Sequence, residues 1–246
     1  DECVQYISDL LDESYADLPT SIRVKGEYGR IDKAINRALK AKLLLMAASP
    51  LFNGNPDYAN FKDEEGNPYF NPVEDATKWE KAAEAAKQAI DDATNASHDL
   101  FYFDQSMSGF KLSETSLIQM SIRHAVCERW NKEIVWGLSD SRATTMQNYC
   151  MPRLTNEMTL TLCYAALAPT LKIAQQFYTK NGVPIEEDKT LDFSTINELR
   201  TATDDEVYNF DVRFETARLN FDRENRFYAC MGFDGGKWLM SDIASR

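Results

Sequence analysis

The chain has 246 residues, 43% hydrophobic and 27% charged, which is ordinary for a globular protein with a sizeable core. Acidic residues outnumber basic ones 39 to 27, a formal net charge of −12. That argues against a nucleic-acid partner or an anionic membrane surface, which need a basic face, and leaves a neutral ligand unaffected.

In chain order, residues 1–18 read as a first helix, with Val4, Ile7, Leu11, Tyr15 and Leu18 on one face and Pro19 as its stop. These residues themselves contain no basic start followed by an apolar run, and no apolar run reaches membrane-spanning length. After a loop over 20–29, a second helix runs from about Arg30 to Ala48. Ala34, Ala38, Ala41, Leu45 and Ala48 recur at steps of three and four, with Ile31, Ile35 and Leu39 beside them. Small residues on such a stripe let a neighbouring helix approach closely. Lys33, Arg37 and Lys40 are expected on the wet face. From Leu43 to Ala48 the helix turns apolar all round, which predicts insertion among several helices before Ser49-Pro50 ends it.

Residues 50–76 form a loop in which Phe52, Tyr58, Phe61, Tyr69 and Phe70 are expected to staple down a long excursion. A third helix starts at Thr77, where Thr77-Lys78-Trp79-Glu80 fits a capping box. Its stripe is Trp79, Ala82, Ala83, Ala86, Ile90 and Ala93. Residues 100–165 carry no clean period, and long irregular stretches are often functional. Residues 170–181 read as a short helix capped by Thr170, burying Leu171, Ala174, Phe177 and Tyr178 and stopped by Gly182. Near 226–239, Phe227, Ala229, Met231 and Phe233 alternate ahead of Asp234-Gly235-Gly236, which predicts a hairpin. Cys3, Cys127, Cys150, Cys163 and Cys230 are widely spaced, lack a C-x-x-C pair and read as buried or solitary thiols.

The expected fold is mostly α, with tetratricopeptide-like helical pairs, a loop-rich region and a small β-hairpin. The long loop after Ser49 excludes a regular tetratricopeptide array. Residues 1–99 would be the helical scaffold and residues 100–246 the loop-rich, ligand-binding part.

Four segments in order resemble one family. "GRIDKAINRALKAKLLLMAASPLFNG" is similar to the Ala-rich helix of the SusD/RagB family, which ends in A-A-S-P-L-F-N. "KWEKAAEAAKQAID" resembles the next helix of that family. "PTLKIAQQFYTKNGVPI" resembles its P-T…F-Y-x-x-N-G-x-P-I segment, and "DRENRFYACMGFDGGKW" its R-E-x-R-F-Y stretch. The resemblance implies a surface lipoprotein of the Bacteroidetes outer membrane. Such a protein takes part in polysaccharide utilisation and carbohydrate transport, binding a glycan or oligosaccharide and passing it to a SusC-like TonB-dependent transporter. Members are about twice this length, so the chain reads as an internal fragment. Cys3 sits inside a helix without a lipobox and is not read as the lipid anchor.

A sugar site needs flat aromatic faces for apolar C–H surfaces and planar polar groups for hydroxyl pairs. The stretch "CERWNKEIVWGLSDSRATTMQNYCMPRL" supplies both. Its candidates are Trp130, Trp136 and Tyr149, with Asn148, Asp140, Arg142 and Arg153, and Asn131 nearby. Trp136, inside the apolar run "EIVWGL", reads better as a core anchor, as do Trp79 and Trp238. Tyr149 is the preferred stacking residue, in an expected loop over 140–153.

Catalytic signatures are poor. "GFDGGKW" lacks the spacing of a phosphate loop and has Trp238 where Ser or Thr must stand. There is no G-x-S-x-G, and His98 and His124 form no H-E-x-x-H. Glu186-Glu187-Asp188 and Asp204-Asp205-Glu206 read as solvated loop charge rather than a calcium site. The expectation is a non-enzymatic binder without cofactor or metal. The alternatives are a peptide-binding member of the same family and a helical-repeat protein-interaction scaffold.

Overall fold

A computed structural model of the chain describes residues 2–109, 111–139, 143–151 and 163–238. The described residues are mostly helical and carry one small antiparallel pair of strands. The chain forms two compact units. One comprises Asp1–Leu100 with Trp130–Ser139, the other Phe101–Arg129 with Asp140–Arg246. Residues 130–139 therefore group with the first hundred residues rather than with the later part.

In the first unit, α1 (Glu2–Tyr15) packs on α2 (Lys33–Ala48), which packs on α3 (Thr77–Asn95). The Asp32 side chain caps α2 by accepting from the Ile35 amide at 3.0 Å. Asn36, buried in α2, donates to the Leu11 carbonyl and the Ser14 hydroxyl of α1. Asp12 of α1 takes both Arg37 and Lys40. Those two side chains are therefore largely covered, not on the wet face expected for them. Conversely Leu45 and Met46 are exposed, so the apolar end of α2 is not inserted among helices on every side. On α3 the buried residues are Ala82 and Ala85, while Trp79, Ala83, Ala86 and Ile90 are exposed. The inward stripe thus lies about one residue away from the expected one, and Trp79 is not a core anchor.

The A-A-S-P-L-F-N segment has a concrete task. Buried Asn53 pairs with the backbone of Asp75 in both directions, accepting from its amide at 2.9 Å and donating to its carbonyl at 3.0 Å. The Asp75 carboxylate then accepts from the Thr77 amide and hydroxyl. Asp75, not the Thr77–Glu80 box, holds the start of α3. Gly54 lies at φ +78°, and a Cβ there would come 2.7 Å from the Glu74 nitrogen, so only glycine closes this loop without a shift. Between these points Phe52, Tyr58, Phe61, Tyr69 and Phe70 pack ring on ring, as expected of a staple.

In the second unit, α4 (Glu114–Cys127) runs through the stretch that showed no period. Its buried residues are Ser116, Gln119 and Met120, so a largely polar inner face hides the helical signal. Next come α5 (Ala143–Cys150) and α6 (Leu171–Gln176), the latter capped by Thr170. The α6 helix is shorter than the expected 170–181, and Leu171 and Tyr178 are exposed. The antiparallel pair is β1 (Leu199–Thr201) with β2 (Glu215–Ala217), in register Arg200 to Thr216. The hairpin expected near 226–239 is instead α7 (Asn225–Cys230), followed by the turn at Asp234–Gly236. Phe227, Tyr228 and Ala229 are buried in succession on α7, which a half-buried strand would not do. They join Ala174, Ala202, Phe210, Leu219 and Phe221 in the core, where Phe210 and Phe221 stack at 4.3 Å.

Two polar groups lock this core. Arg223, 3% exposed, donates to the carbonyls of Ala174, Phe177, Tyr178 and Leu219, closing the C-terminal end of α6. Asp188 is buried, not a solvated loop charge. Thr179, Asn181 and Thr190 all donate to its carboxylate and hold its pKa well below the ordinary range. All five cysteines are free thiols, of which only Cys163 is buried. Among the described residues no helix is long and apolar enough to cross a membrane.

Candidate functional site

Two places gather the expected aromatic residues. The first is a cleft of about 350 Å³ in the first unit, lined by the loop before α2, the turn after α3 and residues 130–137. Trp130 takes φ +57°, a left-handed conformation, and its ring lies against Gly137. A Cβ on Gly137 would come 2.9 Å from the Trp130 ring, so the glycine admits the indole. Tyr28 meets Trp130 edge-on, with centroids 5.4 Å apart. The Trp136 Nε1–H donates to the Gly29 carbonyl at 3.1 Å, which fixes the ring while leaving the residue 51% exposed. Trp136 is therefore a rim residue, not the core anchor that its apolar neighbours imply. Across the cleft, the Lys132 carbonyl accepts from the Asp99 amide and pairs with His98 Nδ1. The Leu100 amide and the Lys132 ammonium hold the Asp99 carboxyl below its usual range.

The second place is in the other unit. Tyr149 lies on α5, not in a loop, because Ala143–Cys150 is helical. Its ring meets that of Tyr164 with centroids 5.1 Å apart and planes tilted by 40°. The two residues are 42% and 47% exposed, so the pair is partly open to solvent. Backbone bonds set the pair. The Tyr164 amide donates to the Asn148 carbonyl at 2.7 Å, and the amides of Ala166 and Leu167 donate to the Tyr149 carbonyl. Exposed Met146 stands three residues before Tyr149 on the same helix, extending an apolar border.

Of the expected site residues, Trp130 and Trp136 meet in the cleft, while Asn148 and Tyr149 lie at the ring pair. Asp140, Arg142 and Arg153 fall outside the described residues. Tyr28 and Tyr164 were not foreseen. Each stands in a segment without period; the Tyr164 amide bonds to the Asn148 carbonyl, and the Gly29 carbonyl beside Tyr28 accepts from the Trp136 side chain, contacts that no local pattern records. Among the described residues no cluster of three or more metal-binding side chains occurs.

The model of the SusD family matches residues 132–244. Over those residues the chain is similar to the SusD family. The solved structure of BT4246 is similar over 97% of this chain and 42% of its own, at 32% identity and a TM-score of 0.78. Its selenomethionine form gives 31% identity, coverage of 97% and 43%, and a TM-score of 0.77. A SusD-like protein (BF3747) from Bacteroides fragilis NCTC 9343 aligns at 16% identity over 93% of this chain and 33% of that one, with a TM-score of 0.46. No curated protein matches the sequence. The chain thus spans less than half the length of the BT4246 structure. Within it, the family match takes in Trp136, Tyr149 and Tyr164 and begins after Tyr28 and Trp130.

Proposed function

We propose that this chain belongs to a SusD-family protein that captures an oligosaccharide, without catalysis, at the bacterial outer-membrane surface. The glycan would pass to a SusC-like TonB-dependent transporter. The observation that supports this best is the exposed Tyr149–Tyr164 pair. Two ring faces held by backbone bonds offer a preformed apolar platform for the C–H face of a sugar, at little conformational cost. Asn148 borders the pair, and Asp140, Arg142 and Arg153 are its proposed polar partners in sequence. The family match supports the nutrient-binding class, and the transporter partner follows from the same family.

The test is calorimetry with a glycan selected on an array, comparing the parent with Tyr149→Ala and Tyr164→Ala. Each truncation removes one stacking face and should cost about 1–3 kcal/mol, by analogy with base stacking on aromatics. Helical content should not change. Equal affinity in all three proteins would remove the ring pair from the site. A peptide library probed in parallel separates the peptide-binding reading, which predicts hits there and none on the glycan array. The reading as a protein-interaction scaffold is favoured by exposed Tyr6, Ile7 and Leu10 on α1 and Leu45 and Met46 on α2. It predicts no small ligand in either screen.

A further inference from the structure

The cleft of the first unit is distinct in its charge. The chain as a whole has 39 acidic and 27 basic residues. The cleft lining reverses that balance, with Arg23, Arg30 and Lys132 against the single carboxylate of Asp32. Asp32 is buried, and its carboxylate is engaged in capping α2. The three cations come from separate places in the chain and none is locked. Arg30 pairs with Glu27 at 3.0 Å and Lys132 with Asp99 at 3.2 Å, both largely exposed bridges. Exposed pairs of this kind are worth little and yield to a competing anion. Among the described residues, Arg23 has the Ser21 hydroxyl as its side-chain partner and no carboxylate. Beside these charges stand three fixed aromatic residues, Tyr28, Trp130 and Trp136. The volume, about 350 Å³, lies within the range of small-ligand sites.

We infer that this cleft is a second saccharide site, specific for a sugar that carries an anionic group. The Trp136 ring takes the apolar face of the pyranose, and Arg23, with Arg30 and Lys132 released from their bridges, takes the carboxylate or sulfate. Guanidinium binds either oxyanion through paired N–H donors. This inference rests on the proposal that the protein binds glycans, but on different residues from the Tyr149–Tyr164 pair.

The experiment uses trimers of galacturonic acid and of glucuronic acid, their neutral methyl esters, and a sulfated neutral trimer. Binding is followed by tryptophan fluorescence and calorimetry on the full chain. The acid trimers, the sulfated trimer or both should bind at least about tenfold more tightly than the uncharged forms at low ionic strength, and the gap should narrow as salt is added. Arg23→Gln should remove most of that preference and leave affinity for the esters intact. Trp136→Phe should keep binding, and Trp136→Ala should weaken the charged and the neutral forms alike. Carboxylate and sulfate are separated by which trimer Arg23→Gln affects. The inference is overturned if charged and uncharged trimers bind equally, if Arg23→Gln changes nothing, or if no trimer perturbs the tryptophans. A neutral glycan whose binding depends on Tyr149 would then still uphold the proposed function. If no glycan binds at either place, that function fails with it.

Discussion

Arg223 shows how much one side chain holds. It is a buried cation for which the described residues form no ion pair, and its guanidinium donates to four carbonyls. The Phe227 ring lies 4.7 Å from the guanidinium. The R-E-x-R-F-Y stretch is thus a structural lock. Glu224 adds to it by accepting from the Tyr178 amide at 2.8 Å. Arg223→Met should leave the carbonyls of Ala174, Phe177 and Leu219 without this donor, at about 1 kcal/mol each and so about 3 kcal/mol in all. Arg223→Lys should recover only a small part, because one ammonium cannot span the same acceptors. Urea midpoints of the three proteins check this, and equal midpoints would show that water replaces the guanidinium. Asp188 gives a pH prediction. Its hydrogen bonds favour the ionised form, so its folded pKa lies below the 3.8 of an unperturbed aspartate. The stability this contributes is full above about 3.8 and is lost as pH falls from there through the folded value. Asp188→Asn should therefore flatten the loss of stability below pH 4, read as a smaller slope of melting temperature against pH. An unchanged slope would assign the acid sensitivity to other carboxylates.

At the scale of elements, the joint between α2 and α3 is the part that a family pattern marks and a helical wheel does not explain. Asn53 reaches across the loop to both backbone groups of Asp75. Asp75 in turn caps α3, and its carboxyl is held below the usual range, chiefly by the Thr77 hydroxyl. Asn53→Ala should cost about 2 kcal/mol, the loss of two hydrogen bonds at a buried position. It should also raise amide exchange in the first turn of α3. Unchanged exchange there would mean that Asp75 keeps its place without Asn53. Along the seam, Ala82 is 3% exposed. Ala82→Leu should overpack it and lower stability by about 1–3 kcal/mol, whereas Ala83→Leu, one residue on and exposed, should be close to neutral. Thermal denaturation of the two variants distinguishes the observed inward face from the stripe expected of the sequence, which holds both residues and would have both variants destabilised.

At the scale of the molecule, each unit brings its own aromatic surface. The first has Tyr28, Trp130 and Trp136 in a cleft, and the second has the Tyr149–Tyr164 pair. On the proposed non-catalytic reading, the protein should release no reducing ends from any oligosaccharide that it binds. Release of reducing ends by the purified protein, lost on mutating one carboxylate, would overturn that expectation. A neutral glycan at the ring pair should bind with nearly the same affinity at low and high salt, since it carries no charge to screen. A steep salt dependence at that place would point to an anionic ligand there as well.

The sequence by itself determined that the chain is mostly helical, where α2 and α3 lie, and which family its motifs resemble. Those features are local: a period of three and four, a Pro after Ser49, a run of fixed residues. It also suggested that Tyr149, an aromatic in a polar stretch, is not a core residue, and the residue is exposed. What the tertiary structure decided is which face turns inward and which rings meet. Arg37 and Lys40 are covered because Asp12 of another helix takes them, and no wheel contains that carboxylate. Phe227 to Phe233 alternates like a strand over so short a run that period alone cannot choose. The choice falls to a helix that buries Phe227, Tyr228 and Ala229 together against Phe210 and Phe221. Tyr164 reaches Tyr149 through backbone hydrogen bonds between segments about fifteen residues apart. Such bonds depend on where the chain returns, and residue type does not record that.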